Sequence, residues 1–309
     1  MRVRLATLED VHEIVEVHTA DENLSGGIYD RYIRGGPWMA TETLAIHLNN
    51  LLLDDQLVAV AELDGKIVGE VEVLFSEEPI GGKVRRIAHI DVIEVHPDYR
   101  GRGIGRALME FVEGLARERG AEMLTTQPDE DAKGFYERLG FDVEVFGGRT
   151  VWIPAGKRAD DANIRPLEFS WEEVKNLQLV AGRFQSSYSM YFSAFKDNIA
   201  GIHYTIESGK AGESFYALRN LPGRDGVALL LWGRIEDLRT VLGRAKALGF
   251  ERVLTVLAED RSSRHERGWK NRDTREGTHL RNSRARATSI AVPRWRTSSS
   301  TSNFGWWCG

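Results

Sequence analysis

Helical and extended patterns of apolar residues alternate from the start of the chain. The short apolar segment Val3–Leu5 predicts a first strand. Thr7–Asp10 has the composition of a capping box, and the apolar residues after it lie on one helical face, which predicts a helix. Asn23–Pro37 is rich in glycine and aromatic residues and predicts a loop or a broken helix, after which Met39–Asp54 predicts a second helix.

Three extended segments follow these helices. Gln56–Glu62 and Ile67–Phe75 predict two strands, and the dipeptide Asp64-Gly65 between them favours a tight hairpin turn. Val84–Val95 is long and rich in β-branched residues, which predicts a further strand.

The clearest helical pattern in the chain begins at Ile104, and Gly120 is placed to end it. A strand at Met123–Thr126 and a short helix at Asp131–Leu139 come next, and Phe141–Phe146 and Thr150–Ile153 predict two closing strands. The order of these elements predicts an α+β fold for residues 1–153. The apolar residues of the helix that begins at Ile104 recur at helical spacing and are Ile104, Ala107, Leu108, Phe111, Val112, Leu115 and Ala116.

A glycine-rich turn connects the predicted strand Val84–Val95 to the predicted helix that begins at Ile104. Its sequence, Arg100-Gly101-Arg102-Gly103-Ile104-Gly105, places free backbone N–H groups beside the positive end of a helix dipole, which predicts a site for an anion such as a pyrophosphate. The spacing excludes a Walker loop, because no Lys follows the last glycine, and it does not match the G-x-G-x-x-G dinucleotide fingerprint.

A second, weaker pattern follows a polar linker at residues 154–162. Ile164-Arg165 and Ser170–Val174 resemble the first strand and the first capping box. Residues 163–272 are therefore interpreted as a degenerate copy of the first domain, with an unrelated α+β domain as the alternative.

The second pattern lacks the glycine-rich turn. Gly226–Trp232 and Val253–Leu257 predict strands, and an apolar stripe that ends at Gly249 predicts a helix between them. Only Gly233-Arg234 connects the first of these strands to the helix, so this copy is expected to lack the anion site.

The C-terminal segment, residues 273–309, is rich in Arg, Ser and Thr and has no hydrophobic period. This composition predicts a disordered basic tail or an altered reading frame, with a nucleic-acid-binding tail as an alternative. Residues 261–309 carry a net charge of +8, so residues 1–260 sum to −13. An acidic body favours a cationic amine as substrate through long-range attraction.

Length and composition exclude several classes of protein. The 309 residues suffice for two domains, and the lone cysteine, Cys308, excludes an internal disulfide and a cysteine-based zinc cluster. No apolar run approaches the roughly 18–20 residues that cross a bilayer. Acidic residues interrupt Met1–His18, where a signal peptide needs an apolar core, so a cytoplasmic location without a membrane partner is expected.

Three motifs together resemble the GNAT superfamily of acetyl-CoA-dependent N-acetyltransferases. They are V-x-P at Val95–Pro97, R-x-x-G-x-G at Arg100–Gly105, and F-Y-E-R-L-G-F at Phe135–Phe141. The resemblance implies a mixed central sheet flanked by helices, here in two tandem copies, with acetyl-CoA as cosubstrate. It also implies that Asn23–Trp38 lies over the acceptor site.

The resemblance assigns the coenzyme contacts. The backbone N–H groups of Gly101 to Arg106 hold the pyrophosphate, and the backbone of the preceding strand holds the pantetheine arm and the thioester. Asp129 stands where many relatives have Asn, and it can cap the following helix as Asn would. The implied set is Ile93, Glu94, Val95, Arg100, Gly101, Arg102, Gly103, Ile104, Gly105, Arg106 and Asp129.

The proton-transfer groups are assigned less directly. Tyr136 stands where the superfamily often keeps a tyrosine near the coenzyme sulfur, and a phenol with a reference pKa of about 10 can protonate a thiolate. His89 is the candidate base, oriented by Asp91, since strand parity places both on one face together with Ile93 and Val95. The alternatives for the base are ordered water, Glu70, Glu72 and Glu94. No metal site is implied.

The sequence therefore predicts an N-acetyltransferase that transfers the acetyl group of acetyl-CoA to a primary amine by direct attack. The acceptor is an amine-bearing small molecule or protein, and a homodimer is possible. The alternative is an acetyl-CoA-binding regulatory module with little catalysis.

Overall fold

The computed structural model of the protein describes residues 1–156, 163–199, 201–258 and 286–291. Its helices are α1 Val11–Thr19, α2 Ile28–Gly35, α3 Thr41–Leu53, α4 Ile104–Glu118, α5 Lys133–Arg138, α6 Trp171–Val174, α7 Ser187–Phe195 and α8 Leu238–Ala247. Its strands are β1 Arg2–Leu5, β2 Leu57–Leu63, β3 Lys66–Ile80, β4 Lys83–Val95, β5 Met123–Thr126, β6 Val143–Pro154, β7 Ile164–Pro166, β8 Leu179–Ala181, β9 Thr205–Ala211, β10 Ser214–Asn220, β11 Val227–Trp232, β12 Arg252–Ala258 and β13 Arg286–Ala291. None of the helices in these ranges has the length and apolar character needed to span a bilayer.

All of these strands form one 13-stranded sheet. Its order is β1-β2-β3-β4-β5-β13-β6-β12-β8-β11-β10-β9-β7. Residues 1–156, the first half, supply one end of the sheet, and residues 163–258, the second half, supply the other. Most neighbouring strands are antiparallel, but β4 and β5 are parallel, and β11 and β12 also share a short parallel pairing. The predicted α+β fold with a mixed sheet is confirmed.

The first half forms the elements that its apolar pattern predicts. Asp64 and Gly65 have φ values of 53° and 79°, so the turn between β2 and β3 uses the left-handed region that tight hairpins need. Thr7 and Asp10 form the expected capping box, in which the Thr7 N–H donates to Asp10 Oδ2 at 2.8 Å.

Two segments of the first half differ from the prediction. Ile28–Gly35 is a continuous helix, followed by a short 3-10 turn at Pro37–Met39. The two predicted closing strands are one strand, β6, that runs through Gly147 and Gly148. These glycines make room for neighbours, since a Cβ on Gly148 would lie 2.6 Å from Val256 Cγ1.

The second half shares part of the order of strands and helices of the first, but its described residues contain no counterparts of α2, α5 and β6. A strand and a helix (β7, α6) precede a longer helix (α7), three antiparallel strands (β9, β10, β11), a helix (α8) and a strand parallel to the third (β12). Strand β8 has no counterpart in the first half. It lies between β11 and β12, where Ala181 pairs with both Leu231 and Leu257.

The C-terminal segment contains a strand that the sequence did not predict. Arg286–Ala291 (β13) pairs with β6 on one side and with β5 on the other, so the interpretation of residues 273–309 as lacking structure is wrong for this strand. Six residues carry too short a pattern to predict a strand whose partners lie more than a hundred residues away. The remaining residues of that tail and most of the predicted linker lie outside the described residues.

The two halves share one hydrophobic core. Leu48 and Leu51 of α3 belong to the same buried cluster as Tyr191 and Phe192 of α7 and Trp232 of β11. A separate cluster holds α4 against the other face of the sheet, and Gly69 of β3 permits the close approach of Ile104 and Leu108.

A fully buried carboxylate of the first half caps a helix of the second. Glu78 on β3 accepts hydrogen bonds from the backbone N–H groups of Ser187 and Tyr188 at the start of α7. It also accepts bonds from Arg183 and Ser76. The helix N-terminus and the buried guanidinium both favour its negative charge, so this contact fixes α7 against β3.

Glu78→Ala is expected to reduce the free energy of unfolding by about 3–5 kcal/mol, because it leaves Arg183 buried without its anion. Urea denaturation of the full chain measures this change. Glu77→Ala is the matched control, since its partners are exposed and its loss costs about 0–1 kcal/mol. Equal midpoints for the two variants would contradict the assignment.

Candidate active site

The glycine-rich turn forms the predicted junction between β4 and α4. Gly101 and Gly103 have φ values of 77° and 82°, a region that other L-residues enter at a cost, and Gly103 is the residue that precedes the first turn of α4. The first N–H groups of an α-helix have no partner within the helix, so the turn presents free donors.

A cavity of about 410 Å³ lies at this turn. Arg100, Arg106 and Arg138 contribute cationic side chains to its lining, which suits an anionic ligand. The sequence analysis did not single out Arg138, although it belongs to the F-Y-E-R-L-G-F motif. The full lining is Val95, Tyr99, Arg100, Gly101, Gly103, Ile104, Gly105, Arg106, Phe135, Arg138 and Leu139.

Strands β4 and β5 diverge directly before this cavity. They pair from Ile87 with Met123 to Ile90 with Thr126, and β4 then continues alone on that side to Val95. The N–H of His96 donates to Val68 of β3, so the alternation of a strand directs the N–H groups of Val95 and Ile93 away from β3 and into the gap. The structure thus places the predicted pantetheine-binding positions on an unpaired strand edge.

The side chains of Glu94 and Arg100 engage this edge. Glu94 Oε1 accepts the N–H of Val95 at 3.0 Å and a bond from Arg100 at 2.9 Å, and Arg100 Nε donates to the Val95 carbonyl at 3.0 Å. Arg100 therefore braces the end of β4 beside the turn.

The prediction that four candidate side chains of β4 share one face is wrong. These are His89, Asp91, Ile93 and Val95. Glu72 pairs with Val92 and Val73 with Ile90, so Asp91 is an extra residue in a β-bulge that reverses the alternation. Ile93 and Val95 consequently pack on the face that carries α4, whereas Asp91 bonds to α7 on the opposite face.

His89 lies on the α7 face but is sealed from solvent. It is fully buried, and its Nδ1 lies 2.9 Å from Thr125 Oγ1, while Nε2 has no partner. Burial, together with the charge of Arg183, lowers the pKa of His89 to about 3. A group whose pKa lies near 3 is too weak a base to take a proton from an ammonium group, so His89 is not favoured in that role.

Two fully buried carboxylates, Glu70 and Glu72, project from β3 on the same face. His18 of α1 lies beside the first, with Nε2 2.5 Å from Glu70 Oε2. Trp38 donates its indole N–H to Glu72 Oε1 at 2.8 Å and stacks on His18 with ring centroids 5.6 Å apart. Trp38 ends the segment that the family resemblance places over the acceptor.

His47 of α3 connects Glu72 to the second half. Its Nε2 lies 3.1 Å from Glu72 Oε2, and its Nδ1 lies 2.8 Å from Asp197 Oδ2. Burial alone would lower the pKa of His47, but the charges and hydrogen bonds of the two carboxylates outweigh it and raise the pKa well above the usual value. A doubly protonated His47 therefore carries the positive charge between two anions, and the pKa values of Glu72 and Asp197 are lowered.

Glu70 differs from Glu72 in both charge and hydrogen bonding. Burial and the nearby charge of Glu72 raise the pKa of Glu70 to about 7, despite the hydrogen bond from His18. Its Oε1 is buried and has no hydrogen-bond partner. Glu70 thus has the features of a general base: a pKa near neutrality and a free oxygen. The sequence analysis named it only as an alternative.

Asp91 lies at the bulge, immediately after the last β4–β5 pair. Ser189 Oγ lies 2.6 Å from Asp91 Oδ1 and the same distance from Gln185 Oε1, so residues of the second half approach the site directly. Burial raises the pKa of Asp91 to about 6, which its bond to Ser189 opposes.

Tyr136 lies on the other face of the sheet, within the cluster that holds α4. Burial raises the pKa of its phenol, and its hydroxyl contacts the side chain of Thr126, the last residue of β5 before the strands diverge. Asp129 is exposed at the start of the turn before α5, and its side chain caps no backbone N–H.

Comparisons with known proteins agree with this geometry. Residues 27–141 match the model of the Acetyltransferase (GNAT) family. Over 77 residues the chain is 34% identical to glucosamine 6-phosphate N-acetyltransferase of Trypanosoma brucei brucei, which spans 25% of this chain and 52% of that protein. Over 94 residues it is 36% identical to an acetyltransferase of Yersinia pestis (strain Pestoides F), which spans 29% of this chain and 61% of that one.

The fold of the whole chain also has a solved counterpart. A GCN5-related N-acetyltransferase from Kribbella flavida superposes with a TM-score of 0.59 at 14% identity, covering 94% of this chain and 71% of the other. At this identity the likeness concerns the fold, and it extends over both halves. The curated relatives, in contrast, match only 25% and 29% of this chain, and this chain spans about half to three-fifths of their length.

His47 is expected to remain protonated at about pH 7.5, where a histidine with the reference pKa of about 6.5 is mostly neutral. His89 is expected to stay neutral at about pH 5, since burial holds its pKa near 3. Nitrogen-15 NMR of the imidazole rings measures both, with His47→Gln and His89→Gln to assign the signals. Titration of the two rings in the opposite order would contradict this account of the site.

Proposed function

We propose that this chain, whose residues 27–141 form an acetyltransferase domain of the GNAT family, transfers the acetyl group of acetyl-CoA to a primary amine. The single observation that supports this most strongly is the divergence of β4 from β5 directly before the arginine-lined cavity. The edge of β4 that β5 leaves unpaired offers the N–H of Ile93 to the thioester carbonyl, and a carbonyl of the pantetheine arm replaces Glu94 Oε1 at the N–H of Val95. The turn from Gly101 to Arg106 offers N–H groups to the pyrophosphate.

The amine approaches from the face that carries Glu70 and Asp91. The ionised Glu70 accepts a proton from the ammonium form, and the neutral nitrogen attacks the carbonyl carbon of the thioester. The carbonyl oxygen becomes an oxyanion next to the N–H groups of β4. A backbone donor in such a position contributes roughly 3 kcal/mol to the transition state.

The thiolate departs toward the opposite face of the sheet. Collapse of the tetrahedral intermediate breaks the C–S bond, and the phenol of Tyr136 protonates the sulfur. The nitrogen loses its second proton to solvent as the amide forms, and solvent returns a proton to the Tyr136 phenolate. The raised pKa of Tyr136 keeps the phenol protonated and ready to donate at neutral pH. No covalent bond to the protein forms at any step.

We also propose that the second half is a degenerate copy that no longer binds the coenzyme. The gap between β11 and β12, which corresponds to the gap between β4 and β5, is filled by residues 178–182 of the same chain. Gly233 N–H donates to Gln178, and Gly182 N–H donates to Val256, so the chain itself occupies the strand edges. Its role is to enclose the acceptor, through Asp197, Gln185 and Ser189.

A regulatory module that binds acetyl-CoA without turnover is the alternative. Glu70 has a pKa of about 7 and one carboxylate oxygen without a hydrogen-bond partner. These features favour catalysis over the regulatory alternative, because a sensor needs no proton acceptor beside the acyl group.

Glu70→Gln is expected to lower thiol release from acetyl-CoA by roughly 10²–10⁴-fold, because it removes the proton acceptor. In the wild type, kcat/KM is expected to rise as the pH increases through about 7, since Glu70 must be ionised, and the variant should lack this rise. The assay uses a panel of primary amines that includes glucosamine 6-phosphate.

Glu77→Gln, on the same strand but partly exposed, is the matched control and should keep full turnover. Coenzyme binding, followed as a shift of Tm, should be retained in both variants. A wild type that binds coenzyme A but releases no thiol with any amine would support the regulatory alternative instead.

Coenzyme A is expected to bind with one equivalent per chain, because the gap of the second half is filled. Isothermal titration measures the stoichiometry. Gly103→Ala should weaken binding, since it strains the turn at a φ of 82°, whereas Gly65→Ala strains the β2–β3 turn at a φ of 79° and should not. Two equivalents, or equal effects of the two variants, would contradict the assignment.

A further inference from the structure

A buried arginine of the second half has no anionic partner among the residues that the structure describes. Arg219 on β10 is 5% exposed, and one of its terminal nitrogens donates to the carbonyl and the hydroxyl of Ser193 at 3.1 and 2.9 Å. The same nitrogen contacts the ring of His203. Its Nε–H is buried without any acceptor.

In the described part of the chain no anion touches Arg219, and the carboxylate of Asp197 acts on it without a salt bridge. Burial lowers the pKa of Arg219 to about 10. Burial and the charge of Arg219 hold His203 neutral by lowering its pKa to about 3. A guanidinium buried without an anion is strongly unfavourable, so the site favours a negative ligand.

Arg219 lies where the two halves meet around the acceptor. His203 lies 6.1 Å from the ring of Tyr32 on α2, measured between centroids. The charge of Asp197 acts on Arg219, and Asp197 itself bonds to His47 in the network that contains Glu72. Arg31, which precedes Tyr32 on α2, likewise has a buried Nε–H without an acceptor.

We propose that the acceptor carries an anionic group, a carboxylate or a phosphate, that binds Arg219 while its amine lies at Glu70. This inference rests on the proposed function. The two ends of the site have opposite charge requirements, since Glu70 and Asp91 attract an ammonium group and Arg219 attracts an anion. Oxygens of a planar or tetrahedral anion suit the donors of a guanidinium, including its free Nε–H.

The test compares amines that differ only in the anionic group. Two pairs serve as probes: 4-aminobutyrate with butylamine, and phosphoethanolamine with ethanolamine. Binding is measured by isothermal titration of the full chain saturated with coenzyme A, so that the glycine-rich turn is already filled. The anionic member of at least one pair should bind roughly tenfold to a hundredfold more tightly, and the pair that shows this distinguishes a carboxylate from a phosphate.

Arg219→Met should abolish the preference, and Arg224→Met, an exposed arginine in the same half, should preserve it. Arg219→Lys keeps the charge without the planar fork and should retain part of the preference. If both Arg219 variants melt early, the comparison of probe pairs in the wild type decides alone.

An absence of preference for both anionic probes, including undetectable binding of all four, overturns the proposal. An undiminished preference in a folded Arg219→Met chain overturns it as well. Thiol release is measured in parallel with the same probes. If anionic amines bind through Arg219 but no amine releases thiol, the proposed acetyl transfer fails while the anion site stands.

Discussion

Two carboxylates on one face of one strand, buried two residues apart, are the constraint to which the rest of the site responds. Glu70 and Glu72 cannot both ionise in an apolar interior without compensation. The protein supplies hydrogen-bond donors from three segments of the first half, namely His18, Trp38 and His47, and Asp197 of the second half helps to keep His47 protonated. The compensation is unequal, because Glu72 has two direct donors and Glu70 keeps one oxygen free. That inequality separates the pKa values of the two carboxylates and leaves the pKa of Glu70 at about 7.

In each half two parallel strands diverge, and the gap between them stays open in the first half and is filled in the second. Where β4 leaves β5, an extra residue, Asp91, turns a carboxylate toward the acceptor side and leaves the strand edge unpaired. Where β11 leaves β12, strand β8 enters the gap, and Gly182 allows the close approach, since a Cβ there would lie 2.3 Å from the Leu229 carbonyl oxygen. A gap between parallel strands is thus open, as the proposed coenzyme site, in one half and filled by the chain itself in the other.

Local patterns in the sequence predict most elements of the first half and the position of the glycine-rich turn, because caps, glycines and apolar stripes act over short distances. The bulge at Asp91 has no such signal, and it moved Ile93 and Val95 to the other face from His89. The partner of Glu70, His18, comes from α1, and one partner of His47, Asp197, lies 150 positions away along the chain, so neither pKa could be derived from the sequence alone. Strand β8 and strand β13 were missed for the same reason, since each is short and is stabilised by distant partners.

Strand β6 joins the two halves of the sheet rigidly. It belongs to the first half, yet seven of its residues pair with β12 of the second. The halves are therefore joined by a continuous ladder of main-chain hydrogen bonds, which resists hinge bending far more than a contact between side chains does. Motion that admits and releases ligands must then arise in the helices that cover the sheet, above all in α2, whose exposed apolar residues leave it lightly anchored.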